Sequence, residues 1–251
     1  MIWLKRGGHG APNYLLLHGL GATGAVWHGV CAALDERKAG NWIVCDLPGH
    51  GDSDTLADYS IGALAAVIAA SLERDRPYRV IAHSLGVYLG LALASDWFGV
   101  RIESLLGLGP KVTWLDAEVT AMLELARKPA REFPTETEAW ARYRKISGLD
   151  VQIAADTATL ARGVRANGES YRLAADPRTP LVTGAPFATL YASARCPVLF
   201  ARGERDTMVT LDELRVYCPQ ALDLANTGHN AHVEAPAELV ALDQRWRSSK
   251  L

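Results

Sequence analysis

The chain has 251 residues, 49% of them apolar and 22% charged, with a formal net charge of −2 at pH 7. Such a length suits one large domain or a domain carrying an insertion, and the near-neutral charge leaves no electrostatic footprint for nucleic acid or a membrane surface. The four cysteines, Cys31, Cys45, Cys196 and Cys218, are widely spaced with no C-x-x-C pair, which argues against a disulfide framework or zinc knuckle and for a reducing, cytoplasmic setting.

The stretch "MIWLKRGGHGAPN" lacks the apolar run of a signal peptide. "IGALAAVIAASL" and "LGVYLGLALA" are too short to span a bilayer and read as buried helices. In chain order, "YLLLHG" (14–19), "WIVCD" (42–46), "YRVIAHS" (78–84), "IESLLGLG" (102–109), "CPVLFARG" (196–203) and "ALDLANTG" (221–228) read as strands. Most are too continuously apolar to have a wet face, as expected of parallel strands covered on both sides. In residues 58–72, Ile61, Leu64, Ala65, Ile68 and Leu72 form one helical stripe. This alternation predicts an α/β fold with a doubly wound, mostly parallel sheet.

The rhythm breaks between about residues 111 and 190, where helices but no convincing strand can be read. In "AEVTAMLELARK", Val119, Met122, Leu123 and Ala126 share a face. "PTETEAW" offers Thr135 as N-cap with Glu138 three residues later. A third run, around 153–166, ends near Asn167-Gly168. The segment starts where the strand near Gly109 ends and stops where the next begins. It is therefore expected to be a helical lid at the C-terminal edge of the sheet, where open α/β sheets bind their ligands. The predicted division is a core of 1–110 and 191–251 with a cap of 111–190.

The candidate chemistry begins at "RVIAHSLGVYLGLALAS" (79–95). Ser84 can be read as a helix cap or as a nucleophile on a tight strand-to-helix turn. That turn needs small residues two places before and after, the usual pattern being G-x-S-x-G. Here they are Ala82 and Gly86. A nucleophilic serine needs a base, for which "NTGHNAHVEAP" offers His229 and its rival His232. The base needs an orienting carboxylate. "LFARGERDTMV" offers Asp206, with Glu204 as the alternative. The backbone N–H groups of Leu85 and of Leu20, in "LLLHGLGATG", are the candidate oxyanion donors.

The order Ser84, Asp206, His229 is that of the α/β-hydrolases. "HGLG", "DLPGHGDSD" (46–54), "AHSLG", "RGERD" and "GHNAHVEAP" together resemble that superfamily, in its branch of small cap-bearing serine hydrolases. The resemblance covers residues 14–110 and 191–245. It implies that the histidine of G-H-x-x-x-x-E-x-P is the base, which selects His229, and that D-x-P-G-x-G-x-S is a structural loop. Two departures stand out: Ala82, a common variant, and Val87, where many members have another glycine. A serine nucleophile also sets the chain apart from the dehalogenases and epoxide hydrolases of the fold, which resemble one another in using aspartate there.

The expected reaction is acyl transfer, most simply hydrolysis of a carboxylic ester, lactone or thioester of small to medium size, with no cofactor and no metal. Alternatives on the same triad are carbon–carbon bond hydrolysis, amide cleavage, peracid formation and the pyruvate elimination of menaquinone synthesis. A different class is a hormone-receptor-like binder. The expected partner is a small-molecule substrate, not nucleic acid or membrane, and the chain is expected to be a monomer or homodimer. Lys111, after the strand ending at Gly109, is placed near the mouth of the site. Trp114, Phe133, Trp140 and Phe187 either line an apolar pocket or pack the insertion onto the core, and His232 is a candidate for the access route. His83 is expected to point away from the site. His18 and His50 are expected to support loops, His9 and His28 to lie at the surface, and Asp46 to be a turn residue rather than an acid catalyst. Residues 111–190 hold 11 Lys/Arg against 10 Asp/Glu, a faint bias toward anionic substrates. No H-E-x-x-H spacing suggests a metal, and no strand leads into G-x-G-x-x-G.

Overall fold

A computed structural model describes residues 1–149 and 157–248. Its elements run β1 (Leu4–Gly8), β2 (Asn13–Leu17), α1 (His28–Glu36), β3 (Asn41–Cys45), α2 (Ile61–Ala70), β4 (Pro77–His83), α3 (Leu85–Leu93) and β5 (Arg101–Leu108). Then come α4 (Asp116–Ala126), α5 (Glu136–Ser147), α6 (Thr157–Arg162), β6 (Val164–Asn167), β7 (Ser170–Leu173) and α7 (Phe187–Ser193). The chain continues with β8 (Val198–Gly203), α8 (Leu211–Arg215), β9 (Leu222–Leu224), α9 (Ala231–Glu234) and α10 (Pro236–Ser248). Among the described residues the main sheet has the order β1-β3-β2-β4-β5-β8-β9. Every pairing in it is parallel except β1 with β3.

The central strands are apolar on both faces because both faces are covered. Leu15, Leu16 and Leu17 of β2, Val80 to Ala82 of β4 and Leu105, Leu106 and Leu108 of β5 are wholly buried. The apolar stripe of α2 is buried as expected, and Ser60 caps the helix by accepting the Ala63 N–H at 3.2 Å. Helix α3 is buried along its whole length. No helix among the described residues is long and apolar enough to cross a membrane.

Two features depart from the sequence expectation. Strand β1, "LKRGG", lacks apolar alternation because it is an edge strand, and its exposed Lys5 and Arg6 suit an edge that must not pair further. In the insertion, Asn167-Gly168 does not end a helix. It begins the turn of a hairpin in which Asn167 pairs with Ser170 and Gly168 has φ +61°. Gly168 supplies the positive φ that such a two-residue turn requires. The part of the expected third helix over 153–156 lies outside the described residues, and α6 stops at Arg162. The cap of α5 is as read: Thr135 Oγ1 accepts the Glu138 N–H at 3.3 Å, and Gly148 ends the helix with φ +68°.

The insertion is fastened to the core at the loop after β3. The wholly buried Asp46 carboxylate accepts the N–H of Gly24 at 2.7 Å and of Asp52 at 2.9 Å. It also forms an ion pair with Arg162 at the end of α6. Arg162 pairs with Asp52 at 2.9 Å as well and lies 3.9 Å over the Trp3 ring. Backbone bonds from Gly51 N–H to Ala174 O and from Asp176 N–H to Gly49 O tie the same loop to the end of the hairpin. Asp46, read from the sequence as a turn residue, is thus also a structural anchor.

Four histidines are buried: His18, His50, His83 and His232. Burial penalises the imidazolium, bringing His18 down to about 4 and His50 and His232 to about 3, and holding His83 well below the ordinary value. In the unfolded chain each takes up a proton near pH 6.5. Below that pH the unfolded state binds more protons, so stability is full above about 6.5 and is lost as pH falls toward the folded values, by up to about 1.4 kcal/mol per pH unit for each group. Thermal melts are expected to show a much lower Tm at pH 5 than at pH 7.5; equal values would contradict this account of the histidines. Asp46→Ala leaves buried donors and Arg162 without their acceptor, a loss of about 3–5 kcal/mol. The expected fall in Tm is roughly 10 °C, and a fall within 2 °C would show that the anchor does not hold the insertion.

Candidate active site

At the junction of β4 and α3, Ser84 has φ +50° and ψ −115°, a backbone conformation rarely adopted by residues other than glycine. It occupies the N-cap position, but its side chain makes no cap bond. The strained turn is held by two backbone bonds, Ser84 N–H to Leu108 O at 2.9 Å and Val87 N–H to Ser84 O at 3.0 Å. Crowding explains the small neighbours. A Cβ on Gly86 would lie 2.3 Å from Leu17 O, and one on Gly19 would lie 3.2 Å from Ser84 Cβ. Val87 is accommodated because its partner on β5 is Gly107, where a Cβ would come within 2.9 Å of Val87 Cγ1.

Asp206 and His229 meet across a gap closed by glycine. Asp206 Oδ2 accepts from His229 Nδ1 at 2.9 Å, and Oδ1 accepts the Met208 N–H at 2.8 Å. The Asp206 side chain is wholly buried, whereas the His229 side chain is 23% exposed. The loops approach so closely that a Cβ on Gly203 would lie 2.0 Å from Gly228 O, and one on Gly109 would lie 2.8 Å from Asp206 Oδ2. Glu204 is not the partner of His229: its carboxylate accepts the Asn226 N–H at 2.9 Å. Two residues support this pair from behind. Arg202 donates to the carbonyls of Asp206 and Val209, each at 2.8 Å, and so holds the acid's loop. Glu234 accepts the Gly228 N–H with both oxygens, at 2.9 and 3.0 Å, which explains the glutamate of G-H-x-x-x-x-E-x-P.

The histidines around the site are structural, but not all as expected. His18 accepts the Leu47 N–H through Nε2 and donates from Nδ1 to Gly19 O. His50 accepts the Gly21 N–H at 3.1 Å and donates from Nδ1 to Pro48 O. The two rings therefore fix the loop around Leu20 while neutral. The Leu20 and Leu85 N–H groups make no hydrogen bond among the described residues, and both residues line the same cavity as Ser84 and His229. His83 does not point away. Its Nε2–H donates to His229 O at 3.0 Å, and its ring packs 4.5 Å from that of His229. His232 does not line an access route: it is wholly buried between Trp27 and His83, and neither ring nitrogen has a partner among the described residues.

The cavity holds about 930 Å³, within the usual range for small-molecule sites. Lys111, Trp114 and Phe133 line it. Lys111 is paired with Glu118 at 2.9 Å and lies 5.1 Å over the Trp114 ring. Trp114 Nε1–H donates to Tyr88 Oη at 3.2 Å. Phe187 and Trp140 are corrected: neither borders the cavity. Phe187 is buried against Tyr88, Phe200 and Tyr217, which is the packing alternative. Trp140 is half-buried, packed against the core. The Tyr88, Met122 and Ile146 linings were not singled out because each falls within a helical pattern that reads equally well as core.

A model of the "Alpha/beta hydrolase family" matches residues 14–242. A protein named "Putative carbamate hydrolase RutD", from Escherichia coli O81 (strain ED1a), is 31% identical over 268 aligned positions, covering 92% of this chain and 90% of that one. Among solved structures, a thioesterase domain from the curacin biosynthetic pathway superposes with a TM-score of 0.77 at 23% identity, covering 96% of this chain and 94% of the other. E-2-(acetamidomethylene)succinate hydrolase does so with a TM-score of 0.81 at 18% identity, covering 98% and 94%. The chain therefore belongs to the α/β hydrolase family.

Proposed function

We propose that the chain is a serine hydrolase that cleaves a carboxylic ester, or a related acyl bond, through an acyl-enzyme on Ser84. The observation that carries this reading is the hydrogen bond from His229 to the buried Asp206, with His229 bordering the same cavity as a strained Ser84. In the proposed reaction Ser84 Oγ attacks the carbonyl carbon as its proton passes to His229 Nε2. Asp206 holds the Nδ1–H tautomer and stabilises the imidazolium. The N–H groups of Leu20 and Leu85 receive the developing oxyanion, each such donor being worth about 3 kcal/mol in comparable sites. Collapse expels the alcohol, which takes the proton from His229. Water then repeats the sequence to release the acid and restore Ser84. Residues 1–110 and 191–251 would form the catalytic core in this account, with 111–190 as its cap.

A second reading keeps the triad and changes the bond. The carbamate hydrolase name carried by the relative at 31% identity favours a carbamate or amide carbonyl as the alternative to an ester. A binder with a vestigial triad would show no sustained turnover on any of these.

The kinetic test uses p-nitrophenyl esters of increasing acyl length, with an amide and a carbamate analogue beside them. Ser84→Ala and His229→Ala are each expected to lose at least about 10⁴-fold in kcat, while His232→Ala stays within about tenfold of the parent. Retention of most activity by Ser84→Ala would refute the assignment. An essential His232 with a dispensable His229 would refute the choice of base.

A further inference from the structure

The chain as a whole is slightly acidic, at −2, but the wall of its cavity is not. Five lysines and arginines border it against two carboxylates. Both carboxylates are already engaged. Glu118 is paired with Lys111, and Asp176 is held by Arg178 at 2.7 Å and by the Tyr59 hydroxyl at 2.8 Å. That leaves Lys128, Arg131, Arg142 and Lys145, which form no ion pair among the described residues. Glu124 and Glu138 stand one helical turn before Lys128 and Arg142, yet neither pairs with them nor borders the cavity.

The four cations come from one region of the insertion. Lys128 and Arg131 follow the end of α4, and Arg142 and Lys145 share a face of α5 at i, i+3 spacing. Arg131 lies 5.0 Å over the ring of Phe133, which holds its guanidinium at the cavity. Apolar residues, Leu20, Met122, Leu125 and Ile146 among them, line the same cavity as these cations and Ser84. Low-dielectric walls carrying charge of one sign focus the field inside a cleft.

Building on the acyl-hydrolase reading above, we propose that Lys128, Arg131, Arg142 and Lys145 form a subsite that selects acyl compounds bearing a carboxylate or phosphate several bonds from the scissile carbonyl. An apolar segment of the substrate, set against the apolar lining, would link the anion to the reacting carbonyl. The subsite determines specificity and takes no part in proton or acyl transfer.

The test compares two pairs of probes with matched acyl chains. Mono-p-nitrophenyl adipate against p-nitrophenyl hexanoate places a carboxylate on the acyl side. Hexanoyl-coenzyme A against S-hexanoyl-N-acetylcysteamine places phosphates on the leaving-group side. Affinity is measured by calorimetry on the Ser84→Ala protein, so absence of turnover in the parent leaves the charge preference measurable. It also separates failure of the hydrolase reading from failure of the subsite. At low salt the anionic member of at least one pair should bind about tenfold tighter. The ratio should shrink toward one at 0.5 M NaCl, where charges are screened within a few ångströms. It should likewise shrink in the added background of K128Q, R131Q, R142Q and K145Q. The pair that shows the preference identifies carboxylate or phosphate as the ligand. Equal or weaker binding of both anionic probes would overturn the proposal. So would a preference that survives both high salt and the four substitutions.

Discussion

The backbone of Ser84 is the constraint on which the site depends. A serine at φ +50° is strained, and the turn persists because everything around it is too tightly packed to let it relax. Leu17 O lies against Gly86, His83 and Ser84 press on Gly19, and Leu108 O takes the Ser84 N–H. The glycines at 19 and 86 are thus conditions for the close approach of β2, β4 and α3. The same logic repeats at the neighbouring strand ends. Gly203 and Gly109 let the loops carrying Asp206 and His229 come within hydrogen-bonding distance of each other.

Beneath this edge lies a layer of neutral histidines. His18 and His50 use both ring nitrogens on the backbone of the loops around Leu20 and Leu47. His83 links the end of β4 to the backbone of His229. Imidazole suits these positions because one ring supplies a donor and an acceptor while bearing no charge. His232 differs, since it packs against Trp27 and His83 with both nitrogens unpartnered among the described residues. Such a group costs stability.

Much of the core was legible in the sequence because parallel strands covered on both sides leave continuous apolar runs, and because Thr135 marks its helix by local capping chemistry. The strand β1 was not legible: an edge strand of Leu, Lys, Arg and two glycines carries no periodic signal. The hairpin of β6 and β7 carries a turn signal in Asn167-Gly168, but its short strands are largely polar, so the same pair reads equally well as a helix end. At the site, Ser84, Asp206 and His229 followed from motif order, whereas the direction of His83 did not, because strand alternation says nothing of a side chain at the crowded end of the strand. Trp140 and Phe187 fell short as cavity residues for a related reason. Aromatic side chains in a helix bury toward the core as readily as toward a ligand, and residue type alone does not separate the two.

The insertion meets the core through Arg162, Asp46 and the backbone of residues 49–51, so the cavity is bounded by two segments that share a buried ionic anchor. This joins the segment carrying the cations after α4 and on α5 to the core that carries the strained serine. The account rests above all on Ser84 being the nucleophile, and the most direct measurement is intact mass followed by peptide mapping after treatment with a fluorophosphonate. The predicted result is a single adduct located on Ser84 and absent from Ser84→Ala. No adduct on the folded protein, or an adduct that persists in Ser84→Ala, would contradict it.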